Sequence, residues 1–302
     1  MNYHCAIIGG GPAGLNAALV LGRARKDVVL FDDSQPRNGV THASHGFITR
    51  DGVTPAEFRR IAYEEVLKYP SVRHWNTLVT DIQRNDHGFA LRTSSGELVQ
   101  TEKVILAAGL KEVLPEIEGV AEFYGKSLFN CPFCDGWELR DQPLVVVSET
   151  PGIFHKVKLL LNWSSDLVVC TNGHDILTDE QRAQLASKGI AVVDTPITAF
   201  SGENGLLERV HFVDGSQLER SGGFIDPALL PKADFHEALG YETAPDGGIA
   251  TDAMGRTTVS GIYAAGDSAY VMPSQLIHAA SSGSKAAAAV VMDLTEEEWN
   301  SK

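Results

Sequence analysis

The chain has 302 residues, 43% hydrophobic and 21% charged, which is enough apolar material for one or two packed domains and rules out a disordered segment. Lys and Arg total 25 against 39 Asp and Glu, a formal charge of -14, so the surrounding field repels phosphate backbones and anionic headgroups and excludes nucleic acid and membrane surfaces as expected partners. The longest apolar stretches, such as 104–110 and 286–292, fall short of the roughly 18 residues a spanning helix needs, and the amino terminus enters an apolar strand with no basic region or cleavage site before it, which predicts a cytoplasmic protein.

In chain order, residues 4–9 read as a short buried strand, and Gly9-Gly10-Gly11-Pro12-Ala13-Gly14 turns into a helix with Ala13, Ala17, Ala18 and Leu21 on one face. Arg23, Arg25 and Lys26 close that helix where cations suit its dipole, and the next strand, 28–31, ends at Asp32-Asp33. This is a βαβ opening. Gly9 allows the tight turn, Gly11 lets the backbone at Pro12 and Ala13 approach a pyrophosphate on the helix N-terminus, and Gly14 permits close helix-to-strand contact. Asp32 is placed to hold a ribose hydroxyl. The motif alone does not separate FAD from NAD.

A helix over 54–69 follows, then strands near 78–83, 89–93 and 104–107, with Pro115 ending the segment. A second α/β pattern begins at the strand 144–147 and continues through helices near 155–163 and 179–188 and a strand at 167–170. The stretch from Ile249 to an Ala-rich helix over 275–293 is too short for a domain of its own and is expected to complete the first. The predicted fold is therefore α/β with two dinucleotide-binding, Rossmann-like domains, the second (115–245) inserted into the first (1–114 and 246–302).

Four cysteines cannot make a secreted-type framework, and two of them form Cys131-Pro132-Phe133-Cys134, a spacing suited to redox or metal chemistry in a reducing compartment. Two thiols at that spacing can close a redox-active disulfide, and a polarised site can lower a thiol below its usual pKa of about 8.5. A metal site needs two further soft ligands; Cys5 and Cys170 fall in apolar strands and there is no second such pair, so no metal is expected. Asp135, next to the pair, can move the proton each exchange step requires.

Two further segments resemble the secondary signatures of flavoproteins with two dinucleotide folds. The run from Val104 through Ala108 to Gly109 is similar to the strand and glycine turn that close over the flavin dinucleotide, and Gly261-Ile262-Tyr263-Ala264-Ala265-Gly266-Asp267 is similar to the segment whose Asp binds the ribityl chain. With the Cys-x-x-Cys-Asp-Gly string, nearly the whole chain resembles the low-molecular-weight thioredoxin reductase-like flavoproteins. That resemblance implies FAD and a homodimer, with Cys134 facing the flavin, Cys131 meeting the substrate and Asp135 as acid or base. It also implies that Gln275 and Leu276, at the start of the last helix, meet the flavin ring, with Arg37 and Asn38 beside it. His45 and His278 are candidate proton shuttles near the flavin.

A reductase of this type carries a second glycine fingerprint for NADPH at the start of its inserted domain. Here Ser148-Glu149-Thr150-Pro151-Gly152 stands in its place: Glu149 puts a carboxylate beside a pyrophosphate and Pro151 removes an amide donor. The next strand leads into Thr171-Asn172-Gly173-His174-Asp175, with no Arg or Lys for a 2′-phosphate. NADPH is not expected. Branches of the family without it include dithiol oxidases of the gliotoxin and holomycin type, ferredoxin-dependent flavin thioredoxin reductases, and diflavin disulfide oxidoreductases with a second flavin. The expected partner is accordingly a small dithiol or a thioredoxin-like protein, with dioxygen, a quinone or ferredoxin as the other electron carrier. Direction depends on relative potentials, about 30 mV being worth 1.4 kcal/mol for a two-electron couple. An NADPH-dependent reductase and a non-catalytic redox-sensing flavoprotein are the alternatives.

Overall fold

A computed structural model describes residues 2–270 and 274–301. It divides into two compact units, the first formed by Met1–Gly39, Gly46–Lys111 and Leu230–Lys302, the second by Val40–His45 and Glu112–Leu229.

In unit 1, β1 (Asn2–Ile8) runs into a turn at Gly9. Gly9 has φ +110°, and a Cβ there would meet Ala107 O at 2.2 Å, so both the backbone conformation and the space require glycine. α1 (Pro12–Arg23) starts on a proline, which suits a position whose N–H has no helical acceptor, and it buries Ala13, Ala17, Ala18 and Leu21. β2 (Val28–Asp32) is wholly buried and parallel to β1. α2 (Pro55–Val66) is capped by Thr54, whose hydroxyl accepts from the Glu57 N–H at 3.2 Å. β3 (Val72–Asn76) then pairs parallel with β2. β4 (Val79–Asn85), β5 (Gly88–Thr93) and β6 (Leu98–Leu106) form an antiparallel meander, and β6 returns parallel to β1, giving the strand order β3-β2-β1-β6-β5-β4.

The chain leaves unit 1 along β7 (Leu110–Val113). Unit 2 carries α3 (Val120–Phe123), β8 (Leu128–Phe129), α4 (Pro132–Asp135), β9 (Leu144–Val147), α5 (Ile153–Leu160), β10 (Leu167–Cys170), α6 (Asp179–Ser187) and β11 (Ala191–Val193). An antiparallel sheet of β12 (Ile197–Glu203), β13 (Leu206–Phe212) and β14 (Gln217–Glu219) precedes β15 (Gly222–Ile225). The parallel sheet has the order β11-β10-β9-β15-β8. Its central strands are apolar throughout because both faces are covered: Val145, Val147, Val168 and Cys170 pack with Phe200, Val210 and Phe212, while Leu144, Val146, Leu167 and Val169 pack with Val157, Leu160 and Leu185 of the helices.

β16 (Ala228–Pro231) brings the chain back, followed by α7 (His236–Leu239), β17 (Ile262–Ala264) and α8 (Leu276–Asn300). β6 offers one edge to β1 and shares the other between β5 and β17, with Ile262 opposite Val104. Re-entry falls at Leu230 rather than at the expected residue 246. The reason is packing: Phe235 and Tyr241 are buried with Ala6, Phe31 and Leu106, and Lys232 pairs with Asp33 at 2.8 Å. α8 lies so close to α1 that a Cβ on Gly283 would meet Ala13 O at 2.0 Å. Among the described residues no helix is long and apolar enough to cross a membrane.

Candidate redox and flavin sites

The redox pair sits on a single turn of helix in unit 2. Cys131 is the N-cap of α4, Pro132 is its first residue, and the amides of Cys134 and Asp135 both donate to Cys131 O, at 3.1 and 3.2 Å. That turn brings the two Cα atoms to 5.3 Å, and the cysteines are joined as a disulfide. Gly136 closes the turn where a Cβ would strike Pro132 O at 2.5 Å and the Trp163 ring at 2.8 Å. Phe133, between the cysteines, is 54% exposed and meets Trp163 edge-on at 5.7 Å.

Asp135 is 9% exposed. Burial, reinforced by the nearby Glu138 carboxylate and opposed by His45, pushes its pKa up to about 7. His45 Nε2 lies 3.6 Å from Glu138 Oε1. His45 thus falls in unit 2 with the redox turn, and its charge bears on Asp135. Glu138 carries no motif signal; its place three residues after Asp135 on a tight turn is what the sequence reading missed. His278 lies half-buried on α8.

In unit 1, Gly11 caps α1 in an extended conformation without a side-chain cap, and a Cβ there would meet nothing within 4 Å. Leu15 N donates to Gly11 O, so the amides before it lack an intrahelical acceptor, and with open space beside Gly11 this helix start is a cradle that fits a dinucleotide pyrophosphate. A Cβ on Gly14 would meet Gly9 O at 1.8 Å, which explains the third glycine. Among the other expected contacts, Arg37 reaches Asp267 Oδ2 at 2.7 Å and Ser274 Oγ at 2.6 Å. Gly266, at φ +63°, donates to Ser282 Oγ at 2.7 Å, and Gly109 donates to Ser268 Oγ at 2.9 Å next to Ala108. Asn38 lies in the 3-10 turn Arg37–Val40, and Gln275 is the extended N-cap of α8, with Leu276 as its first residue and no side-chain cap. The three serines, at 268, 274 and 282, carry no motif signal of their own; their partners are fixed by the fold.

Asp32 is more heavily engaged than its motif implies. Its Oδ1 accepts from Gly10 N–H at 3.1 Å, and its Oδ2 accepts from Arg59 at 2.5 Å and from Tyr63 at 2.8 Å. Burial alone would raise this carboxyl, but the hydrogen bond and charge of Arg59, with Tyr63 and Gly10, hold it below its ordinary value. Of roughly four lone-pair positions on a carboxylate, one on Oδ1 remains for a ribose hydroxyl. Arg59 also donates to Gly10 O at 2.7 Å, and a Cβ on Gly10 would strike Tyr63 Oη at 2.1 Å. Arg59 and Tyr63, four apart on α2, thus brace the glycine turn from a helix that no fingerprint covers.

The loop between β9 and α5 is occupied with itself. Thr150 N–H donates to Ser148 Oγ at 3.1 Å, Ile153 N–H donates to Thr150 O at 3.2 Å, and the amides of His155 and Lys156 both donate to Gly152 O. Glu149 accepts from Asn172 Nδ2 at 2.7 Å, linking this loop to the end of β10. Arg182 grips Asp194 with two bonds of 2.8 and 3.0 Å and lies 3.9 Å from Asp175. The carboxylates of this region are Glu149, Asp175 and Asp194, joined to Asn172 and Arg182.

The family model described as pyridine nucleotide-disulphide oxidoreductase matches residues 3–283. The chain belongs to that family. Its relatives include the thioredoxin reductase aclD of Aspergillus oryzae, 31% identical over 98% of each chain. Among solved structures, a putative thioredoxin reductase TrxB from Bacillus anthracis superposes with a TM-score of 0.94 at 48% identity, covering 98% of this chain and 99% of that one. HlmI superposes equally well, at 36% identity and covering 99% and 95%. Membership makes the protein a flavoprotein disulfide oxidoreductase with the two Rossmann-like folds expected from its motifs.

Proposed function

We propose that the protein is an FAD-dependent dithiol oxidase of this family, passing two electrons from a thiol substrate through Cys131 and Cys134 to the flavin without NADPH, as a cytoplasmic homodimer. The observation that carries the reading is the loop 148–152, in which the Ser148 and Thr150 amides are committed to Cys170 O and Ser148 Oγ and the Glu149 carboxylate to Asn172, while the adjoining strand end gathers acids. The flavin would be held by Gly9, Gly11, Pro12, Ala13, Gly14, Asp32, Arg37, Asn38, Ala108, Gly109, Gly266, Asp267, Gln275 and Leu276, a reading supported by the glycine turn before α1 and the Arg37–Asp267 pair.

A substrate thiolate attacks Cys131 Sγ, the bond to Cys134 Sγ breaks, and Cys134 leaves as a thiolate. The second substrate thiolate then attacks the substrate sulfur of the mixed disulfide and releases Cys131, so that one substrate disulfide forms and two electrons rest on the pair. Asp135, with a pKa of about 7, is able to take a thiol proton or return one near neutrality. When bound, FAD supplies the two-electron acceptor that restores the disulfide; a second flavin near the altered nucleotide loop, or dioxygen, a quinone or ferredoxin, would carry the electrons onward. The relatives named thioredoxin reductase favour a second reading, in which the same pair reduces a thioredoxin-like protein with electrons from a donor other than NADPH.

Calorimetric titration with NADPH tests the reading. No saturable binding up to about 1 mM is expected, and a dissociation constant near 1 μM, some 4 kcal/mol tighter, would overturn it.

A further inference from the structure

α5 follows the altered loop, and its first turn carries a lysine where the helix dipole disfavours a cation. Lys156 has compensating partners. Its side chain, 15% exposed, pairs with Asp226 Oδ1, and its Nζ donates to Asn130 O at 3.0 Å with Asn130 Oδ1 at 3.4 Å. The sheet dictates this meeting: β8 and β15 are parallel neighbours with Phe129 opposite Phe224, so Asn130 and Asp226 emerge together from adjacent carboxyl ends, and α5 packs beside them. Asn130 O belongs to the peptide group whose nitrogen is that of Cys131. An ammonium on that carbonyl fixes the entry into the redox turn, strengthens the Cys131 N–H as a donor and brings positive charge close to Cys131.

We propose that Lys156 is a positioning residue of the redox pair, clamping the Asn130–Cys131 peptide and stabilising the Cys131 thiolate once the disulfide is reduced. Asp226 orients the ammonium and partly neutralises it. The inference rests on the reading of Cys131 and Cys134 as a cycling dithiol.

The test is the pH dependence of iodoacetamide alkylation of the reduced, flavin-loaded chain, with the rate at Cys131 resolved from that at Cys134 by peptide mass mapping. Lys156→Met removes the clamp and leaves the Asp226 carboxylate unpaired, so the Cys131 midpoint is expected to rise by about one pH unit, an about tenfold slower reaction below it. Asp226→Asn keeps the clamp and removes its counter-charge, so the midpoint is expected to fall. A packing defect would not give opposite signs. Unchanged midpoints, or shifts in one direction for both variants, overturn the proposal. If Lys156→Met does not fold, Asp226→Asn decides alone: a downward shift supports the clamp, and no shift or an upward one overturns it. A wild-type flavin that dithiols fail to reduce would defeat the redox reading instead, and it leaves these midpoints measurable.

Discussion

Cys134→Ser is expected to slow reduction of the bound flavin by a small dithiol at least about 10³-fold, the scale of losing a covalent participant, while flavin content stays that of the wild type. The two effects separate because the cysteines and the flavin cradle belong to different parts of the fold: Cys134 lies in α4 of unit 2, and the glycine turn, Arg37 and Asp267 lie in unit 1. The α4 turn itself is held by backbone bonds to Cys131 O and Pro132 O, which serine preserves. Stopped-flow absorbance of the anaerobic variant measures the rate. Reduction within about tenfold of wild type would show that electrons bypass the pair.

Asp135→Asn is expected to lower the same rate by about 10²-fold and to remove the ionisation near pH 7 from its pH profile. Glu138 and His45 are the charged groups that bear on Asp135, so the profile of Glu138→Gln should shift downward, because that substitution removes a charge that raises the Asp135 pKa. The stability effect has a definite sign. The folded protein holds the Asp135 proton more tightly than the unfolded chain, so native stability is lost as pH rises from the ordinary value of 3.8 to about 7. Asp135→Asn should therefore match wild type in stability near pH 4 and exceed it above about pH 7, by a few kcal/mol at about 1.4 kcal/mol per unit. Denaturant melts at the two pH values check this. A variant less stable than wild type at high pH would mean that Asp135 is ionised and well partnered in the native protein.

Much of this site was legible in local strings. The glycine turn, the Cys-x-x-Cys-Asp-Gly run and the Gly266-Asp267 segment each place chemistry within a few residues, so their spacing carries their geometry. The run Ser148–Gly152, which departs from the glycine fingerprint, is read from its sequence in the same way, and the fold adds the bond from Thr150 N–H to Ser148 Oγ. Residues that act across the fold left no such mark. Arg59 and Tyr63 reach Asp32 from a separate helix, Ser268 and Ser282 meet glycine amides through tertiary packing, and Lys156 finds Asn130 only because β8 and β15 are neighbours. The return at Leu230 was hidden because residues 230–245 have little regular structure, and their place is set by burying Phe235 and Tyr241. His45 shows the converse: its residue type suggests proton transfer, and the fold adds that its ring lies by Glu138.

The central claim is that thiols, and not NADPH, reduce this flavin. It is tested most directly by anaerobic titration of the purified yellow protein, with a small dithiol in one cuvette and NADPH in another, following the oxidised flavin band near about 450 nm. Bleaching by the dithiol alone is the result the loop 148–152 and the pair Cys131–Cys134 predict. Rapid bleaching by NADPH would contradict it and would make the chain a nicotinamide-dependent reductase with an unusual cofactor loop.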